Sequence, residues 1–78
     1  MEFRELSTFL QVAKLQSFSK AAKVLGYSQA AVTIQIKQLE QELGTRLFEK
    51  KGRNVVLTRY GKIFLPYVEE SLKVLEEG

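Results

Sequence analysis

The chain has 78 residues, 45% of them hydrophobic and 27% charged, and its 12 Lys and Arg against 9 acidic residues give a net charge of +3. That describes one small domain of ordinary globular composition, of a size that buries roughly 60% of the surface its unfolded chain exposes. There is no Cys and no His, and every acidic residue is Glu; disulfide frameworks, thiolate or two-His metal sites, EF-hand loops and the Ser-His-Asp triad are excluded, and no enzyme activity, cofactor or metal is expected.

The first residues lack the basic segment followed by an apolar core that marks a secretory signal. The longest apolar run, Ile63 to Val68, contains Pro66 and falls far short of the about 20 residues a membrane helix needs. A soluble, cytoplasmic chain without a membrane partner is expected. Leu6, Phe9, Leu10 and Ala13 recur at i, i+3, i+4, i+7, as do Phe18, Ala21, Ala22 and Leu25. Each set places an apolar stripe on one helix face. Ser17 and Ser19 are candidate N-caps of the second helix, and Gly26 can take the left-handed position that ends it. Ser28 can cap a third helix carrying Val32, Ile36, Leu39 and Leu43, which Gly44 closes.

Only Gly26-Tyr27-Ser28 separates the second and third helices. A turn that short, between helices of about seven and fifteen residues, forces a steep crossing, which is the helix-turn-helix arrangement; here it spans Phe18 to Lys37. The helical period then fails. Arg46-Leu47-Phe48-Glu49 and Asn54-Val55-Val56-Leu57 flank Lys50-Lys51-Gly52-Arg53. Gly52 accepts a positive φ at little cost, so this stretch predicts a small β-hairpin with a basic tip. Thr58 can cap a fourth helix, in which Tyr60, Ile63, Phe64, Tyr67, Val68, Leu72 and Leu75 cover more than a third of the circumference. A helix packed on its own domain alone needs a narrower stripe, so the surplus suggests a partner. Pro66 removes the N–H that the Lys62 carbonyl would accept and predicts a kink or a frayed bond there, not a second helix. The fold expected is mainly α: a winged helix-turn-helix of three helices and a hairpin wing over residues 1–58, then a linker helix over 59–78.

Charge is unevenly placed. Residues 44–62 hold Arg46, Lys50, Lys51, Arg53, Arg59 and Lys62 against Glu49, whereas residues 63–78 hold Glu69, Glu70, Glu76 and Glu77 against Lys73. A local basic patch suits a polyanion. On a helical wheel of about 100° per residue, the third helix turns Ala30, Thr33, Ile34, Lys37, Gln38 and Gln41 away from its apolar side, with Gln29 in the first turn and Gln35 toward the other edge. Amides can read adenine in the major groove, and small apolar groups can touch a thymine methyl. No acid appears on this helix before Glu40, although the helix dipole favours carboxylates near its start; a carboxylate there would repel phosphate.

At this point the stretch SFSKAAKVLGYSQAAVTIQIKQLEQELGTRLFEKKGRNVVLTRYG resembles the DNA-binding region of LysR-type transcriptional regulators. The resemblance is carried by Ala21-Ala22, Leu25, Ser28-Gln29, Ala31-Val32, Gln35-Ile36, Leu39-Glu40, Glu42-Leu43-Gly44, Arg46-Leu47-Phe48, Leu57-Thr58 and Gly61, and extends over the whole chain. It implies a bacterial regulator that binds double-stranded DNA as a homodimer, its linker helices paired through Ile63, Phe64, Tyr67, Val68, Leu72 and Leu75. It implies base readout by Gln29, Ala30, Thr33 and Ile34 in a partly palindromic, A·T-containing operator, and entry of Arg53 into the minor groove. Phosphate contacts are expected from Ser28, Lys37, Lys50 and Lys51. Family members continue into an effector-binding domain, so the resemblance further implies a DNA-binding part that takes no inducer itself. The chain departs from the common family pattern at Ala30, Thr33, Lys50 and Tyr60, so an operator class is implied but not an operator sequence. Two other readings fit parts of the chain. A helical protein-interaction module would use the fourth helix, and an architectural DNA binder would use the basic patch without reading bases.

Overall fold

The computed structural model describes residues 1–77, with side-chain surroundings through residue 73. The element order is α1 (Phe3–Leu15), α2 (Phe18–Leu25), α3 (Gln29–Leu43), β1 (Phe48–Lys51), β2 (Asn54–Leu57) and α4 (Arg59–Glu77). This is the expected winged helix-turn-helix followed by a long helix. The expected punctuation is in place. The Ser17 hydroxyl accepts the Lys20 N–H and the Ser28 hydroxyl accepts the Ala31 N–H, each at 3.1 Å. Gly26 and Gly44 end α2 and α3 with φ of 77° and 70°, in the left-handed region that only glycine enters without steric cost.

Helix α1 lies at the centre, touching α2, α3, α4 and β2. Phe9 and Val12 are fully buried. They join Ala21, Ala22, Val32, Ile36, Leu39, Leu47, Phe48, Val55, Val68 and Leu72 in one core. Burying each Val, Leu, Ile or Phe of this core stabilises by about 1.5–3 kcal/mol. Three aromatic contacts tie the elements together. Phe9 meets Phe48 at 5.3 Å and Phe64 at 5.2 Å between ring centroids, and Phe18 meets Phe48 at 6.0 Å. The buried face of α1 is wider than its predicted stripe. Leu6, Leu10 and Ala13 are only partly buried, while Glu5, Thr8 and Val12 are inside. A helix surrounded on several sides has no single apolar face, and its polar residues are tolerated inside where each finds a partner. Glu5 does so by accepting the Glu2 N–H at 3.3 Å, Thr8 by bonding Gln35 across the α1–α3 seam.

β1 and β2 pair antiparallel, with Phe48 opposite Leu57 and Lys51 opposite Asn54. The hairpin loop is therefore Gly52-Arg53 alone, shorter than the four-residue tip expected. Among the two loop residues only Gly52 has a positive φ, 63°, the pattern of a type II′ turn. Val55 N–H donates to the Gln16 carbonyl at 3.1 Å, which ties β2 to the α1–α2 corner.

α4 runs as one helix through Pro66, which is exposed. Its start is clamped to the segment before β1. The Thr58 hydroxyl donates to the Arg46 carbonyl at 2.7 Å and accepts the Gly61 N–H at 3.1 Å, and the Thr58 N–H donates to the Leu47 carbonyl at 2.9 Å. Gly61 is buried, and a Cβ built on it would lie 2.4 Å from the Leu47 oxygen.

Candidate nucleic-acid interface

The turn that aims α3 is built from backbone geometry. After Gly26 the Tyr27 N–H bonds the Ala22 carbonyl at 2.9 Å, the wrap of a Schellman-type end. Ser28 then starts α3. Its hydroxyl oxygen is the cap acceptor, which leaves the hydroxyl hydrogen free to donate outward. Val32, Ile36 and Leu39 face the core as the periodicity predicts. Gln29, Ala30, Ile34 and Lys37 are exposed, and Thr33 is partly buried. Ile34 shows 56% of its surface, the one large aliphatic side chain on that exposed face.

Thr33 and Lys37 line a cleft between α3 and the hairpin, of about 160 Å³, together with Phe18, Phe48, Lys50 and Val55. The cleft brings α3 and the wing into one concave surface. Arg53 sits exposed at the hairpin tip. The two wing lysines differ in what they face. Lys50 and Lys51 are consecutive strand residues, and consecutive side chains point to opposite faces. Lys50 pairs with Val55 on the side that packs inward, and Lys51 pairs with Asn54 on the outer side. Lys50 borders the α3 cleft and also a second groove beyond the hairpin, whereas Lys51 borders that second groove, with Lys62, Val56 and Leu57, and not the cleft.

Two residues to which the sequence reading gave no contact of their own hold this surface in shape. The Glu40 carboxylate accepts the Leu47 N–H at 2.7 Å and lies 3.8 Å from Arg46 Nε, so it fastens the segment leading into the wing to α3. Gln35 links α3 to α1 through Thr8 at 2.6 Å. Glu40 stood out on the wheel only as the first acid, and Gln35 only as an edge residue; neither spacing nor charge marks a partner distant in sequence.

The residues expected at a subunit interface divide. Phe64 packs on Phe9, and Val68 and Leu72 are buried at 1% and 7% exposure. These three belong to the chain's own core, because the face of α4 that meets α1 passes through them. Ile63 and Tyr67 are exposed, and so is Tyr60. With Leu43, Thr45, Leu47 and Phe64 they line an apolar groove. The side chain of Leu75 lies outside the described residues. Among the described residues no helix is long and apolar enough to cross a membrane.

Comparison with known proteins agrees with this architecture. The family described as bacterial regulatory helix-turn-helix protein, lysR family, matches residues 3–62. The chain is 46% identical over 77 residues to the HTH-type transcriptional regulator CitR of Bacillus subtilis (strain 168), covering 99% of this chain and 25% of that protein. It is 49% identical over 76 residues to the transcriptional dual regulator GltC of the same organism, covering 97% of this chain and 25% of GltC. It thus spans about a quarter of the length of the relatives it matches. Among solved structures, a complex of the CbnR DNA-binding domain with DNA superposes with a TM-score of 0.93 at 38% identity, covering 99% of this chain and 88% of that one. A complex of the BenM DNA-binding domain with catB site 1 DNA gives 0.94 at 39% identity, covering 99% and 86%. Fold, sequence pattern and relatives agree: this chain belongs to the LysR family of bacterial regulatory helix-turn-helix proteins.

Proposed function

We propose that this chain binds double-stranded DNA sequence-specifically, as a homodimer, and serves as the DNA-binding part of a bacterial LysR-type transcriptional regulator in the cytoplasm. The observation that carries the reading is the surface formed by Gln29, Ala30, Thr33 and Ile34 on α3, continuous through the Lys37–Lys50 cleft with the Arg53-tipped hairpin. The solved complexes of CbnR and BenM with DNA, near 0.93 in TM-score, support the same use of this fold.

In this reading α3 enters the major groove. The Gln29 amide reads a base edge, the Thr33 hydroxyl takes or gives a hydrogen bond, and Ala30 and Ile34 meet thymine methyl groups. Each good contact discriminates by about 1–3 kcal/mol. Arg53 enters an adjacent narrow A·T minor groove, where the negative potential is strongest. Ser28, Lys37 and Lys50 hold the phosphates between the two grooves. They supply affinity without sequence information and make binding salt-dependent. Lys51, on the outer face of the wing, contributes to the general field more than to that strand. Ile63 and Tyr67, with Tyr60, form the subunit contact, and two half-sites follow the dimer's geometry.

The test is selection of bound duplexes from a random pool at about 0.15 M salt, followed by sequencing. Enrichment of paired, inverted, A·T-containing half-sites is the expected result. Retention without enrichment leaves a purely electrostatic binder, and no retention refutes DNA binding by this chain.

A further inference from the structure

One polar contact inside the molecule has no role in closing a helix or a turn. Thr8 is fully buried in α1, and its hydroxyl donates to the Gln35 side-chain oxygen on α3 at 2.6 Å. Among the described residues it is the only side-chain to side-chain hydrogen bond joining two helices. At the exposed rim the N-terminal ammonium pairs with Glu42 of α3 through long, mobile groups. The buried residues of α3 are Val32, Ile36 and Leu39, and those of α1 include Phe9 and Val12. Apolar packing of that kind is non-directional, and cores accept small rotations and shifts of their side chains. A hydrogen bond is directional and holds its length to within about 0.5 Å.

We infer that the Thr8–Gln35 bond sets the roll of α3 about its own axis, and through it the aim of the exposed face of α3 at the DNA bases; Thr8 and Gln35 are positioning residues for recognition. The inference rests on the DNA-binding reading above. Its geometry is simple. Side-chain tips lie about 5–6 Å from a helix axis. A roll of about 10° therefore carries the ends of Thr33 and Ile34 about 1 Å sideways, more than a base-edge hydrogen bond tolerates. Phosphate contacts through Lys37 and Lys50 are less affected, because a long flexible side chain with a point charge adapts to such a shift. Loss of the bond should thus lower discrimination more than general affinity.

The placement of Gln35 makes this testable without unfolding the protein. Gln35 is only partly buried, so its side-chain oxygen can take a water when Thr8 is replaced by a valine of the same shape. The experiment compares wild type, Thr8→Val and Thr8→Ser. Three quantities are measured: the orientation of α3 relative to α1 from residual dipolar couplings in the free protein, the melting temperature, and the ratio of affinities for selected and unrelated duplexes. The expected result for Thr8→Val is a reoriented or broadened α3, a melting temperature lower by no more than the roughly 2–12 °C that one hydrogen bond is worth in a domain of this size, an unchanged affinity for unrelated DNA, and a ratio lower by about fivefold or more, the low end of one lost base contact. Thr8→Ser, which keeps the hydroxyl, restores the orientation and the ratio. An α3 orientation identical to wild type in Thr8→Val overturns the inference, whatever the DNA result. A parallel fall in melting temperature and in both affinities also overturns it and leaves Thr8 as plain packing. A wild-type chain that prefers no duplex refutes the DNA reading instead, and the dipolar couplings still decide whether the bond sets the roll.

Discussion

Gly61→Ala should destabilise the fold, against the usual helix preference. In an open helix that change stabilises by about 0.5–1 kcal/mol, because alanine loses less backbone freedom on folding. Here the added Cβ would lie 2.4 Å from the Leu47 carbonyl oxygen and 2.9 Å from Leu57 Cδ2. Ordinary carbon–oxygen contacts are about 3.3 Å or longer, so the oxygen must retreat by about 1 Å. It is not free to do so. Leu47 O accepts the Thr58 N–H at 2.9 Å, and the Thr58 hydroxyl holds the neighbouring Arg46 carbonyl at 2.7 Å. Overpacking against backbone costs about 3 kcal/mol, at the upper end of the usual range. After the helix gain is set against it, about 2 kcal/mol remains. For a domain of this size that lowers the melting temperature by roughly 8–16 °C, measured by circular dichroism at 222 nm. A domain holding about 4–12 kcal/mol stays folded at 25 °C, so DNA affinity can be measured on the same variant. It should fall as well, because Leu47 leads into β1 and its displacement moves the wing. Lys62→Ala, an exposed helical neighbour, is the control and should leave the melting temperature within about 2 °C, the usual range of a surface change. A Gly61→Ala protein melting at or above wild type would refute the close-approach argument.

The two wing lysines should behave differently: Lys50→Ala lowers the slope of log affinity against log salt by about 0.9, the value of one lost phosphate contact, and Lys51→Ala lowers it by clearly less. Equal slopes would mean that the strand faces do not sort the phosphates. Arg53→Ala should weaken binding mainly at sites with A·T-rich flanks, and an equal loss on G·C-rich flanks, measured by titration of paired duplexes, argues against minor-groove entry. On α4, Tyr67→Glu should break the dimer in sedimentation while leaving monomer stability near wild type, since Tyr67 is exposed. Val68→Ala should cost about 2 kcal/mol of stability from lost burial and the cavity left behind, with no direct effect on subunit contact. A monomer produced by Val68→Ala at full stability would reverse that assignment.

The four helices, the ends of α2 and α3, the start of α4 and the presence of a hairpin were legible in the sequence because each depends on neighbours along the chain; the end of α1 at Gln16, with φ 56°, carried no such signal. Ser17, Ser28 and Thr58 cap helices through N–H groups three residues ahead, and Gly26, Gly44 and Gly52 adopt a positive φ that costs other residues more. The outward face of α3 was legible too, since Val32, Ile36 and Leu39 leave little choice of which side is buried. What surrounds a helix on several sides is not written in its period. The apolar residues of α4 cover too much of its circumference to say which meet α1, and only the tertiary structure sends Phe64, Val68 and Leu72 inward and leaves Tyr60, Ile63 and Tyr67 outside. Only the structure shows that pairing extends to Lys51, which makes Lys50 and Lys51 strand residues with alternating faces rather than members of one loop. Thr8 with Gln35, Glu40 with the Leu47 N–H, and Gly61 against the Leu47 carbonyl are contacts between residues 27, 7 and 14 positions apart. Local rules extend over about four residues of a helix or two of a strand, and such contacts exist only once the elements have packed.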